Sequence, residues 1–154
     1  MPLKFHWFSL PISMVLATIY MYYVTQYKPA QKRGKLLQDL DMKVVYQPAL
    51  CDLRAGEGDL LHVHYTSFLA VAGKQFETTK GGEPYVFKLG KCGNSTKPEC
   101  MQGFRNAVTG MCTGEKRKVT IPPKLGFEKK ARPREIGADE KLVFHIEMVD
   151  IDKV

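Results

Sequence analysis

The residue types that most often carry out catalysis are sparse in this chain. His62 and His64 alternate with apolar neighbours, a pattern that places both imidazoles on the outer face of a strand. A metal-binding pair at this spacing is the alternative. The sequence contains no Ser/His/Asp set, no glycine-rich phosphate loop and no EF-hand loop. We therefore expect neither a bound metal nor a cofactor.

The chain contains four cysteines, which are Cys51, Cys92, Cys100 and Cys112. An even set suits disulfides in an oxidising compartment, and the spacing is wider than the CxxC type that a zinc site needs. Four reduced thiols are the alternative. Asn94 begins an Asn-Ser-Thr glycosylation acceptor pattern, which is usable only after translocation.

An apolar segment near the N-terminus runs from Phe5 to Val24, close to the ~20 residues that a membrane span needs. The preceding Lys4 and the small Ala17 favour a signal peptide, whereas Tyr20 and the tyrosines after it favour an uncleaved anchor. We expect residues 1–26 to be one of these, 27–36 to be a linker and 37–154 to be one folded domain. Basic residues after the segment favour a cytosolic domain by the positive-inside rule, and the cysteines favour the opposite side.

Apolar residues alternate with polar ones in two long stretches, at residues 61–66 and 142–149. This period predicts strands with one inward face. Shorter strands are predicted around Val119 and over residues 85–89, and Met101–Thr109 has apolar residues at helical spacing. The pattern predicts an α+β domain, an antiparallel sheet with one short helix, after an N-terminal hydrophobic helix.

Four motifs follow one another in order along the chain: GDLLHVHYT at 58–66, GKQFETT at 73–79, MCTGEKRKVTIPPKLGF at 111–127 and LVFHIEMVDI at 142–151. Together they resemble the FKBP family of peptidyl-prolyl cis/trans isomerases, and within it the small form of the endoplasmic reticulum lumen. The resemblance implies a twisted antiparallel sheet wrapped over one helix and a disulfide between Cys51 and Cys112. Cys92 and Cys100, which flank a short loop, are then left to pair with each other.

The family's reaction is rotation about a prolyl peptide bond, whose barrier is about 18–20 kcal/mol because resonance is lost midway. An apolar pocket that removes water from the imide and holds the proline ring suffices for this. Carried over by resemblance, the catalytic positions are Tyr65, Phe76, Glu77, Phe104, Phe127 and Phe144. The substrate-binding positions are Tyr85, Phe87, Cys100, Met101 and Ile136, with the Met101 amide holding a peptide carbonyl and Phe104 forming the pocket floor.

Three positions depart from the family pattern. Glu77 replaces the usual Asp, Phe104 the usual Trp, and Phe127 a Tyr whose hydroxyl donates to a ligand carbonyl. We expect a weak prolyl isomerase that assists folding in the secretory pathway, in the lumen or membrane of the endoplasmic reticulum; a non-catalytic peptide-binding holdase, in some cases membrane-anchored, is the alternative. The expected partners are proline-containing polypeptides, and macrolides with reduced affinity. The net charge is +7, but no nucleic-acid-binding motif accompanies it, so we do not expect nucleic acid as a partner. The protein would contact a membrane only if the N-terminal segment is retained. We expect a monomer.

Overall fold

The computed structural model of the chain describes residues 16–22, 40–90, 92 and 95–154. Residues 16–22 are helical. The rest of the apolar segment, the predicted linker at 27–36 and the acceptor Asn94 lie outside the described residues. Contacts divide the chain into two compact units, Met1–Lys35 and Leu36–Val154, and the sheet belongs to the second unit.

Among the described residues, no helix has both the length and the apolar character needed to cross a bilayer.

Within the described part of the chain, six antiparallel strands form one sheet. They are β1 (Asp41–Tyr46), β2 (Leu60–Leu69), β3 (Gln75–Thr78), β4 (Tyr85–Lys88), β5 (Lys116–Ile121) and β6 (Leu142–Asp152). The strand order is β1-β5-β6-β2-β3, and β4 also pairs with β2. One edge of β2 pairs with β6 over its whole length, while the other edge pairs with β4 and then with β3.

The predicted alternation is confirmed in the two long central strands. On β2, Leu61, Val63 and Tyr65 are buried, while His62 and His64 lie on the outer face and are half-buried. β6 repeats the pattern, with Phe144 and Ile146 among its buried residues. The inner face of the sheet therefore carries the hydrophobic core, and the outer face carries the polar residues.

Helix α1 (Gln102–Val108) covers this inner face, one residue shorter at each end than the sequence predicted. Its buried residues include Phe104, Ala107 and Val108, which recur at helical spacing and therefore face the sheet. The helix ends before Gly110, whose φ of 74° is the left-handed conformation that commonly follows a helix C-terminus. The expected sheet with one short α-helix in the domain is thus confirmed for the described residues.

A buried ion pair holds the C-terminal end of α1 against β5. Arg117 pairs with Glu115 through Nε and donates from Nη1 to the carbonyl oxygens of Ala107 (2.7 Å) and Thr109 (3.1 Å). Glu115 also accepts a hydrogen bond from the amide of Cys112 at 2.8 Å. Because removal of one partner of such a pair leaves a buried charge without compensation, the pair makes the helix end and the strand interdependent.

Two disulfides join the four cysteines in the expected pairings. Cys51 and Cys112 are bonded with Cα atoms 5.4 Å apart, and Cys92 and Cys100 with Cα atoms 5.1 Å apart. The first links the segment before β2 to the turn before β5. The second closes a short loop directly before α1.

Removal of either disulfide should lower the free energy of unfolding, and the loss should be larger for the disulfide that closes the longer loop. The sequence separations are 61 residues for Cys51–Cys112 and 8 for Cys92–Cys100. The chain-entropy model gives losses of about 4 and about 2.5 kcal/mol respectively. Urea unfolding of the C51A/C112A and C92A/C100A double variants, followed by circular dichroism, measures both. Equal losses, or no loss in C51A/C112A, would contradict the expectation.

Gly103→Ala should destabilise the protein, because α1 contacts its neighbours most closely there. An added Cβ would lie 2.5 Å from Cγ2 of Ile121 and 3.1 Å from the carbonyl oxygen of Leu125. Overpacking of this kind costs about 1–3 kcal/mol, which outweighs the gain of about 1 kcal/mol that Ala brings to a helix. Gly137→Ala is the control, since its Cβ has 3.8 Å to the nearest atom. Midpoints of thermal unfolding that do not differ between the two variants would contradict the packing argument.

Candidate active site

Five aromatic side chains from four elements converge on the inner face of the sheet. Tyr65 comes from β2, Tyr85 and Phe87 from β4, Phe104 from α1 and Phe144 from β6. The ring of Tyr65 lies with its centroid 5.8 Å from Tyr85, 5.9 Å from Phe104 and 5.8 Å from Phe144. These separations are typical of favourable aromatic pairs. We call these five residues the aromatic cluster.

Phe104 lies at the base of the aromatic cluster. Its side chain is fully buried, and its ring centroid lies 5.3 Å from Phe144 and 5.8 Å from Phe87. Because Phe104 is on the first turns of α1, the packing of α1 on the sheet sets the position of its ring. Tyr65 and Phe144 are also almost completely buried, so the base of the cluster excludes water.

The rim of the cluster is more exposed and carries polar groups. Phe76 on β3 is half-buried and packs against the core, and the neighbouring Glu77 is exposed. Burial of Tyr65 and the negative charge of Glu77 raise the pKa of the Tyr65 hydroxyl well above its usual value. Tyr65 therefore remains a neutral phenol that can donate a hydrogen bond.

Tyr85 is held by an acid that sequence reasoning missed. Its hydroxyl donates to Oε2 of Glu99 at 2.8 Å. Burial, followed by this bond and the charge of Glu99, raises the pKa of Tyr85. The two residues are 14 positions apart, and no periodic pattern in the sequence connects them.

The segment before α1 is fixed by a second residue that the sequence did not indicate. Arg105 donates from Nη1 to the carbonyl oxygens of Glu99 (3.0 Å) and Cys100 (2.8 Å). Cys100 is half-buried and disulfide-bonded, and Met101 is fully buried. The Met101 amide donates to the carbonyl oxygen of Pro98 at 3.0 Å. A peptide carbonyl that accepted from the same N–H would have to share this donor with Pro98.

The loop after β5 places Phe127 and Ile136 in the same buried core as the aromatic cluster. The turns of this loop include one in which the Ala131 amide donates to the Glu128 carbonyl (2.9 Å) and one in which the Ile136 amide donates to the Pro133 carbonyl (3.1 Å). Nine of the eleven predicted site residues therefore lie in the core or pack against it. Glu77 and Cys100 lie at the margin.

His62 and His64, which lie on the outer face of β2, each have a hydrogen-bond partner. Nε2 of His62 lies 3.0 Å from Oδ2 of Asp152, and Nδ1 of His64 lies 3.2 Å from Oγ1 of Thr79. Within the described residues, no three His, Cys, Asp or Glu side chains are grouped closely enough to hold a metal ion.

Comparison with known proteins adds an independent observation. Residues 51–149 match the family model for FKBP-type peptidyl-prolyl cis-trans isomerases. The chain is 34% identical over 123 residues to the mouse peptidyl-prolyl cis-trans isomerase FKBP14, an alignment that covers 77% of this chain and 55% of that protein. It is 34% identical over 113 residues to FK506-binding protein 2 of Dictyostelium discoideum, covering 73% of this chain and 80% of that protein.

A third relative, mouse peptidyl-prolyl cis-trans isomerase FKBP2, is 35% identical over 104 residues, covering 67% of this chain and 69% of that protein. The chain thus spans about half the length of FKBP14 and more of the two shorter relatives. The family match covers most of the strands and the whole of α1. With its sheet, its single covering helix and its buried aromatic cluster, this chain belongs to the FKBP-type peptidyl-prolyl cis-trans isomerase family.

Proposed function

We propose that this protein is a peptidyl-prolyl cis/trans isomerase that assists the folding of proline-containing polypeptides in the secretory pathway. The observation that carries the proposal is the convergence of Tyr65, Phe104 and Phe144 with the rings of β4 in a member of this family. Rotation of a prolyl bond needs no nucleophile and no electron transfer. The chemistry available to an aromatic site is therefore sufficient for this reaction.

The mechanism that we propose is selective stabilisation of the twisted imide. Phe76, Phe87 and Phe144, with Tyr65, form the walls around the proline ring, and Phe104 forms the floor. In the twisted state the carbonyl loses conjugation with nitrogen, so an apolar environment that cannot solvate the planar, more polar amide favours rotation. Each ~1.4 kcal/mol gained only in the transition state raises the rate tenfold.

The polar groups at the rim position the peptide in this proposal. The neutral Tyr65 hydroxyl and the Glu77 carboxylate face the same space, and the Glu99 bond keeps Tyr85 in a fixed orientation. In this proposal Ile136 and Phe127 contribute apolar surface from the loop after β5. The Met101 amide binds a substrate carbonyl while sharing its N–H with the Pro98 carbonyl, and Cys100 lies at the margin of the site. The site thus holds its substrate through shape and through a few hydrogen bonds.

The three departures from the family pattern support a reduced turnover. Phe127 lacks the hydroxyl that a Tyr would offer, and a missing hydrogen bond of this kind costs about 0.5–1.5 kcal/mol. Phe104 is smaller than an indole, and Glu77 carries its carboxylate one methylene further out than Asp. These same features favour the second candidate function, a peptide-binding holdase without useful turnover.

The secretory location rests on the covalent structure. Two disulfides stabilise the domain, and such bonds persist in oxidising compartments. The acceptor pattern at Asn94 and the apolar segment near the N-terminus agree with translocation into the endoplasmic reticulum. Mass spectrometry of the protein from its native compartment should find no free thiol, whereas four free thiols would remove this support.

Phe144→Ala should lower kcat/KM for a Leu-Pro peptide by more than tenfold, because it opens the cluster to water. The assay uses the full chain in a mild detergent and follows isomerisation by protease-coupled cleavage. Val149→Ala is the matched control, since Val149 lies on the outer face of the same strand and should leave turnover unchanged. Phe76→Ala tests the same wall at a half-buried position where folding is less affected. Activity that survives in both variants would exclude the aromatic cluster as the site.

Phe127→Tyr should strengthen tacrolimus binding about fivefold, because the hydroxyl restores one hydrogen bond worth about 1 kcal/mol. The wild-type protein should bind this macrolide one to two orders of magnitude more weakly than a relative with Tyr, Trp and Asp at these positions. Glu77→Asp should recover less, since Glu77 can reach inward by a change of rotamer. Phe68→Tyr adds the same hydroxyl to a ring on the outer face, next to His145, and should have no effect. Calorimetric affinities that are equal in the wild type and in Phe127→Tyr would contradict this interpretation.

A further inference from the structure

The outer face of the sheet carries a group of cationic side chains that the isomerase site does not use. The register of the strands places Lys43 opposite Lys118, and Lys118 opposite His145. Lys118 and His145 alternate with buried neighbours and therefore lie on the outer face. Lys43 lies on the same face because it is directly opposite Lys118. Directly opposed residues of this kind have Cβ atoms about 4.5–5.5 Å apart. Like charges at that distance repel one another.

A depression lies beside this row on the outer face. Its lining includes His64, Lys80, Lys116, His145 and Glu147. No member of the aromatic cluster is among the residues that line the depression. His64 and His145, which do line it, face away from the core. The depression is therefore separate from the proposed isomerase site and lies on the opposite side of the sheet.

The charges around the depression do not balance within the described part of the chain. Lys116 pairs with Glu147 at 3.1 Å, and Arg117, which also borders the depression, is neutralised by the buried Glu115. Lys43, Lys80 and Lys118 form no ion pair with a described residue, and Glu147 is the acid in the lining. The lining thus combines two imidazoles with the ammonium group of Lys80, and Lys118 lies outside the lining, directly opposite His145.

His145 reports this excess of positive charge. Its partial burial, and then the nearby Lys118 and Lys80, lower the pKa of His145 below the usual value. The pKa shift identifies two lysines that act on the imidazole from different elements, one on β5 and one in the turn after β3. The ring of His145 also contacts Phe68 on β2, with centroids 5.4 Å apart.

We propose that this depression binds a doubly charged tetrahedral oxyanion, of the sulfate or phosphate type, either free or as an ester group on a larger molecule. Lys80 in the lining and Lys118, which lies beside the depression directly opposite His145, supply the charge, and His64 and His145 supply imidazole donors. Bonds from cationic donors to such an anion are stronger than neutral ones. The anion would relieve the repulsion along the Lys43–Lys118–His145 row.

The test uses His145 as the reporter and sodium sulfate as the probe, because sulfate keeps its charge while histidine titrates. NMR titration of the histidine Cε1–H signals in the full chain gives the pKa of each imidazole, and a His145→Gln variant identifies the signal. Bound sulfate favours the imidazolium, so the pKa of His145 should rise by about half a unit to one unit and saturate. Sodium chloride at the same ionic strength should produce a smaller rise, due to screening alone.

Lys80→Gln and Lys118→Gln locate the site. Each substitution removes one cation, so the pKa of His145 should begin higher in chloride and respond less to sulfate. Lys129→Gln removes the same charge from a loop outside the depression, and it should preserve the full response. Equal effects of sulfate and chloride, or a saturable rise that persists in Lys80→Gln and Lys118→Gln, would overturn the proposal. Because no readout depends on turnover, the result does not depend on the isomerase proposal.

Discussion

The pairing of β2 with β6 is the constraint on which the rest of this structure depends. The two strands are hydrogen-bonded from Leu60 opposite Asp152 to Leu69 opposite Leu142, with one irregularity between His62 and Val63. Side chains alternate between the two faces of a strand, so a slip of one residue would exchange the faces of every position. Tyr65 would then leave the core, and His64 would enter it. The same register therefore creates the aromatic cluster on one face and the cationic group on the other.

The second constraint is the position of α1 on the sheet, which determines where Phe104 lies at the base of the aromatic cluster. Gly103 allows α1 to approach Ile121 and Leu125 more closely than any side chain would permit. Arg117 binds the carbonyl groups at the other end of α1 and is itself neutralised by Glu115. Phe104 lies between these two fixed points. Its burial is thus a consequence of contacts made by other residues of the helix and strand.

The sequence predicted the strands and the helix in which buried apolar residues recur at regular spacing, and it missed the strands that lack such spacing. The strands β2 and β6 alternate between buried and exposed positions over many residues, so their period was sufficient, and the apolar spacing in α1 located the helix to within one residue at each end. β1 escaped prediction because every residue from Asp41 to Tyr46 is exposed, which leaves no alternation to detect. β3 was also missed, because three of its four residues are exposed and no buried apolar position marks it, whereas β4, which is equally short, contains the buried Phe87.

The site was less accessible to sequence reasoning than the fold. Alternation shows that Tyr65 and Phe144 face inward, but it does not show that they meet Phe104, since those contacts join distant parts of the chain. Their grouping came from the family resemblance. Glu99 and Arg105, which hold Tyr85 and the segment before Met101, carry no sequence signal because each bond depends on how the chain folds back. The buried ion pair of Glu115 and Arg117 could not be predicted for a different reason. Both residues are charged and lie among other charged residues, a composition that is typical of an exposed segment.

The most direct test of the isomerase function is whether the protein itself accelerates rotation about a prolyl bond. Exchange NMR on a Leu-Pro peptide, with the full chain present at one hundredth of the peptide concentration, measures the cis-to-trans rate without a coupling enzyme. If the protein is an isomerase, cis and trans signals of the peptide should exchange within seconds and give cross-peaks, whereas the free peptide exchanges in tens to hundreds of seconds. Peptide signals that broaden on binding while the cis-to-trans rate stays at its uncatalysed value would contradict it and would establish the protein as a binding module.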